Sequence, residues 1–83
     1  MISIQDFKES TFEEKCEIVS EQSNYIAKRQ LGNCKIYLYH SGEFFIEVYY
    51  SPVYKKVLMI NPFSDTETLQ PYTDIISLAD LNL

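Results

Sequence analysis

The stretch NYIAKRQLGNCKIYLYHSGEFFIEVYYSPVYKKVLMINPF, Asn24 to Phe63, decides the fold. Four runs rich in Val, Ile, Leu, Tyr and Phe are separated there by Leu31-Gly32-Asn33, His40-Ser41-Gly42 and Ser51-Pro52. β-Branched and aromatic side chains fit a pleated, half-buried surface, and short polar turns send each strand back along its neighbour. The segment therefore reads as a four-stranded antiparallel β-meander. Gly32-Asn33 has the form of a two-residue type II′ turn, which sets Leu31 opposite Cys34, Arg29 opposite Ile36 and Ala27 opposite Leu38.

The second turn is read as a three-residue loop, His40-Ser41-Gly42, with Gly42 in the left-handed conformation of a G1 bulge. This choice places Leu38 opposite Phe44, Ile36 opposite Ile46 and Cys34 opposite Val48. Paired residues share a face and successive ones alternate. One face then carries Tyr25, Ala27, Leu31, Cys34, Ile36, Leu38, Phe44, Ile46 and Val48, the seat expected for the helices. The other carries Lys28, Gln30, Lys35, Tyr37, Tyr39, Phe45, Glu47 and Tyr49. A two-residue Ser41-Gly42 loop would shift the register by one and mix these sets. The fourth run, Tyr54 to Ile60, follows a Pro-containing turn that fixes no register, and Asn61-Pro62 is expected to end it because Pro lacks an amide for the ladder.

Outward from the meander, Ser3-Ile4-Gln5-Asp6 and Thr11-Phe12-Glu13-Glu14 both have the form of a capping box. They predict a short helix starting near Ile4 and Phe7 and a longer one over residues 12 to 22. In the longer one Phe12, Cys16 and Val19 form the buried stripe, with Ile18 at its margin. After the sheet, Thr68 is read as an N-cap with Pro71 at an early position that needs no intrahelical donor. Leu69, Tyr72, Ile75 and Ile76 then make the apolar side of a C-terminal helix, with Ser77 to Asp80 as a last frayed turn. The expected class is α+β: an N-terminal helix in one or two pieces, the meander and a C-terminal helix, in two layers and one domain over residues 1–83.

Net charge is divided along the chain. Residues 1–23 hold six acids against two lysines, residues 24–63 five bases against two acids, and residues 64–83 four acids and no base. Acidic helices thus flank a mildly basic sheet. No basic start followed by a long apolar run is present, and no uncharged apolar segment approaches the roughly 18 residues that span a bilayer. A cytoplasmic location, with no membrane association, is expected. Cys16 and Cys34 have neither Cys-x-x-Cys spacing nor a neighbouring His, and are expected to be reduced thiols used as small apolar fillers.

Chemistry is sparse. His40 is the sole histidine, and Cys34 lies at the other end of the strand leading to it, about 20 Å away by strand rise, too far for a nucleophile–base pair. Both glycines are assigned to turns, so no phosphate-cradling loop is available. No zinc-ligand spacing occurs, and the Glu13, Glu17, Glu21 ladder reads as a solvated helix face. No catalytic, metal or cofactor site is expected, and the chain is not expected to be an enzyme.

The feature that invites a functional reading is the outward face, Lys28, Lys35, Tyr37, Tyr39, Phe45, Glu47 and Tyr49. Tyrosine and phenylalanine are enriched in interface cores, and a chain of 83 residues gains burial by pairing. The expectation is a small interaction module that engages another protein or itself, as a homodimer, through this face or the sheet edge. The runner-up uses the same rings to stack single-stranded nucleic acid or to wall a small-ligand pocket. Overall acidity weighs against nucleic acid, since phosphate neutralisation supplies most non-specific affinity.

Overall fold

Each local signal at the N-terminus forms the element it specifies. The computed structural model describes residues 2–75. Ser3 accepts from the Asp6 amide and opens α1, Ile4–Glu9. Thr11 opens α2, Phe12–Gln22, in a complete capping box: its hydroxyl accepts from the Glu14 amide while the Glu14 carboxylate accepts from the Thr11 amide at 2.8 Å. Those bonds from Thr11 hold the Glu14 carboxyl below its ordinary range. The stripe of α2 is rotated from expectation, because Ile18 and Val19 are buried whereas Phe12 is exposed and Cys16 half-buried.

Four strands follow in chain order, β1 (Asn24–Leu31), β2 (Cys34–Ser41), β3 (Phe44–Ser51) and β4 (Lys56–Phe63), as one antiparallel sheet. Gly32 adopts φ +60° in the first turn, and Leu31–Cys34, Arg29–Ile36 and Ala27–Leu38 pair as the turn chemistry requires. The second turn differs. It is a two-residue loop, Gly42-Glu43, closed by Ser41 opposite Phe44, with Gly42 at φ +65°. Glycine is what a first turn position with positive φ needs, so both hairpins use Gly-X. The pairs become Leu38–Glu47, Ile36–Tyr49 and Tyr39–Ile46. This offset of an odd number of residues turns every β3 side chain to the face opposite the expected one. β4 starts at Lys56 and runs through Pro62 to Phe63. Pro62 is tolerated because β4 is an edge strand.

Helical cover consequently lies on both sides of the sheet. On one face Phe44 and Ile46 form a core with Phe7, Ile18 and Val19 of the two helices, and Tyr39, Val48 and Ile60 pack against it. On the other, Ala27, Leu38, Phe45 and Phe63 meet Leu69 and Tyr72. The α+β arrangement of N-terminal helices and antiparallel meander stands, but the C-terminal helix is only a short 3₁₀ piece, Glu67–Tyr72, containing Pro71. Its Thr66 cap makes no side-chain bond; instead Asp65 accepts from the amide and hydroxyl of Thr68, which keeps its carboxyl below the usual range. Ile76 and the turn expected at Ser77 to Asp80 lie outside the described residues. No helix among the described residues is long and apolar enough to cross a membrane. Cys16 and Cys34 are both free.

Candidate functional site

The seven residues expected to share one outward face are divided by the β2–β3 register. Lys28, Lys35, Tyr37 and Tyr39 stay together on the face that also carries the helices. Phe45, Glu47 and Tyr49 point to the other side, where Phe45 and Glu47 are buried and Tyr49 half-buried. The rotation of β3 is the physical reason, since all three sit at positions of one parity.

The four residues that remain together gain Tyr25. A bulge between Tyr25 and Ala27 resets β1 by one residue, so Tyr25 pairs with Tyr39 instead of facing the side of Ala27. Its ring lies 5.8 Å from Tyr39, edge to face, and 6.4 Å from Tyr37. Lys28 pairs with Tyr37 and Lys35 with Gln30. The result is a tyrosine trio flanked by two exposed lysines. Tyr25 is the most open of the rings, at 53% exposure, while Tyr39 leans into the helix-side core. Partial burial raises the Tyr39 phenol above its ordinary value, and the neighbouring Tyr25 and Tyr37 add to that. A basic cleft of about 290 Å³, lined by Lys28, Arg29, Gln30 and Lys35, lies towards the Gly32-Asn33 end of β1 and β2.

The opposite face holds a polar network at its centre. Glu47, 1% exposed, accepts from Tyr72 Oη at 2.7 Å and Arg29 Nη2 at 3.2 Å through Oε2, and from Asn61 Nδ2 at 3.1 Å through Oε1. The Arg29 guanidinium lies 5.2 Å over the Tyr72 ring, within reach of a cation–π attraction. Burial opposes the Arg29 charge, but Tyr72 and Glu47 outweigh it and hold the guanidinium above its ordinary value. Burial, reinforced by the bond to Glu47, pushes the Tyr72 phenol well above its usual range. Arg29 Nε is buried and has no hydrogen-bond partner among the described residues. Both carboxylate oxygens are occupied, and the cluster fastens the 3₁₀ piece to β1, β3 and β4.

One signal for this network lies in the sequence. Glu47 interrupts the apolar run Phe44-Phe45-Ile46-Glu47-Val48-Tyr49, and a carboxylate inside such a run needs a buried partner. Arg29, between Lys28 and Gln30, gives none. His40, expected at a turn, is instead within β2, its ring stacked 4.6 Å from Phe45. The glutamates of α2, Glu13, Glu17 and Glu21, are exposed.

No protein-family model, no curated protein and no solved structure matches this chain.

Proposed function

We propose that this protein is a small cytoplasmic interaction module that engages an acidic partner protein through the β1–β2 face formed by Tyr25, Tyr37, Tyr39, Lys28 and Lys35. The observation that carries the reading is the contact of the Tyr25 ring with those of Tyr39 at 5.8 Å and Tyr37 at 6.4 Å, on the face that also carries exposed Lys28 and Lys35. Tyrosine gives large amphipathic contact area for few rotatable bonds, which is why it recurs in interface cores. The lysines steer an acidic surface towards it and set orientation. The test is capture from the lysate of the native host with the full chain as bait. A protein retained by wild type and released by moderate salt supports the reading when Lys28→Glu/Lys35→Glu no longer retains it; equal retention by that variant removes it.

A second reading rests on the open Tyr25 ring and on the basic cleft formed further along the same strand pair. Stacking of an unpaired base there is worth roughly 1–3 kcal/mol. Fluorescence anisotropy with a single-stranded RNA oligonucleotide distinguishes it. Binding lost in Tyr25→Ser favours the nucleic-acid reading, and no binding at low salt excludes it.

A further inference from the structure

The sheet edge opposite the tyrosine face carries a different set of features, independent of the reading above. Among the described residues β4 has a strand partner on one side only. Its Leu58 and Met59 are 48% and 47% exposed. At one end of β4 the turn to β3 displays Val53 and Tyr54, exposed by 67% and 72%. This tip is shaped, not loose: Ser51 Oγ, in a buried residue, accepts from the Tyr54 amide, Lys56 Nζ sits 5.9 Å over the Tyr54 ring, and Lys55 is held at φ +54°. A left-handed non-glycine residue costs about 1 kcal/mol, so the turn keeps a strained shape while presenting two apolar side chains to water.

At the other end of β4 lies a cleft of about 420 Å³ lined by Ile2, Ser3, Ile4, Glu43, Phe44 and Ser64. Ile2, Ile4 and Phe44 make it apolar, and exposed Glu43 gives it an acid, with Asp65 following Ser64 in the chain. The tip has the opposite character, apolar with Lys55 and Lys56 beside it. One strand thus bears a knob at its start and a complementary hole at its finish. Such a surface complements itself when two copies meet about a two-fold axis.

We infer that two copies of this chain associate through β4 in antiparallel alignment, each inserting Tyr54 into the Ile2–Ile4–Phe44 cleft of the other and setting Lys55 against its Glu43. With the axis near Met59, residue 54 of one copy comes level with residues 64 and 65 of the second, so strand length alone brings both knobs to both holes. Leu58 and Met59 fill the middle. Pro62 and the bulge that leaves Leu58 without a partner on β3 interrupt the edge ladder, so side chains carry the contact and continuous strand pairing does not. These same interruptions guard the edge against indefinite addition of strands, which leaves a closed pair as the product.

Sedimentation velocity of the full chain across the micromolar range tests this. Wild type is expected to show a monomer–dimer equilibrium, and Tyr54→Ser to weaken it about tenfold or more, as loss of an aromatic anchor does. Lys55→Glu and Glu43→Lys each place like charges at both reciprocal contacts and weaken self-association several-fold. Mixing those two variants restores both contacts, so the mixture dimerises where neither component does alone. A wild type that stays monomeric throughout overturns the inference, as does a mixture that associates no better than its components. A dimer that survives Tyr54→Ser but dissociates in Lys28→Glu/Lys35→Glu also overturns it, by moving self-association to the tyrosine face. Far-UV circular dichroism of each variant confirms that the sheet is intact.

Discussion

The two faces of the sheet are closed by different means. On the helix side, α1 and α2 bring Phe7, Ile18 and Val19 onto Phe44 and Ile46, and each of these buried residues is apolar. On the other side a six-residue 3₁₀ piece brings Leu69 and Tyr72 as its buried residues, and the centre is completed by Glu47, Arg29 and Asn61. Each fully buried large apolar side chain is worth roughly 1.5–3 kcal/mol. A single short turn offers few of them, and its attachment depends on hydrogen bonds to a buried charge. The first face should respond to lost volume, the second to lost partners and to pH.

The largest effect is expected where the second face is broken at its charge. Glu47→Leu leaves Arg29 beneath Tyr72 with no carboxylate and leaves Asn61 and Tyr72 without an acceptor. Removing one member of a buried pair costs roughly 4 kcal/mol, a large part of the stability of a small domain, read as a fall in the urea midpoint. The double variant Glu47→Leu/Arg29→Met is the sharper experiment, because it removes the stranded guanidinium and leaves only the neutral Asn61 and Tyr72 donors without their acceptor. Recovery of the midpoint in the double variant shows that the unpaired guanidinium, and not the lost carboxylate as such, is what destabilises.

On the helix side the matching change is Ile46→Ala, at a residue with no exposure. It removes buried methylenes between Phe44 and the helices, and costs about 3 kcal/mol through lost transfer energy and the cavity left behind. The Tyr39 phenol packs against that cluster and is held above its ordinary value of 10.0, so it stays neutral through the neutral pH range. The loss measured at pH 6 and at pH 8, both below the titration of that phenol, should therefore agree.

Tyr72→Phe comes next. It deletes the hydroxyl that donates to Glu47, a bond to a charged group, for a loss of roughly 2 kcal/mol. The phenol's pKa is raised above its ordinary value of 10.0 in the folded state. The unfolded chain therefore gives up this proton first as pH rises. The stabilisation is fully present below pH 10 and is lost progressively above it. Wild type should lose stability on raising pH from 10 to 11 with a slope that Tyr72→Phe reduces. An identical slope in the two proteins would show that another tyrosine, such as Tyr39 or Tyr49, governs alkaline unfolding.

What the sequence discloses follows from how local each signal is. Thr11 with Glu14 and Ser3 with Asp6 specify helix starts within four residues, and both form. Gly32-Asn33 sets the first hairpin for the same reason. The second hairpin fails because Gly42 suits either the last position of a three-residue loop or the first position of a two-residue one. Alternation along β3 cannot arbitrate, since Phe44 and Phe45 are adjacent and both buried, one in each core. A sheet covered on both faces erases the apolar–polar period on which the assignment of Phe45, Glu47 and Tyr49 to an outer face depends. Tyr25 is misassigned through a single bulged residue that no turn signal announces. The C-terminal helix is cut short because Pro71 withholds a backbone donor within the first turns.

Ser41 carries the smallest of these effects and bears most directly on that second hairpin. In a three-residue loop it would be a turn residue with its hydroxyl in water. In the observed register it is the last residue of β2, 1% exposed, and its hydroxyl donates to the Gln22 carbonyl at 3.1 Å. Gln22 ends α2, so this carbonyl has no partner within its own helix. The two-residue turn thereby links the end of α2 to the end of β2, and the parity that buries Glu47 on one face seats the helix on the other. Ser41→Ala should cost about 1 kcal/mol for the lost bond, and amide exchange should speed up in the last turn of α2 before it does so in β3. A variant that leaves exchange in α2 unchanged would show that apolar contacts through Ile18 and Val19 suffice to hold the helix, and that the turn sets the register of the sheet without helping to anchor its cover.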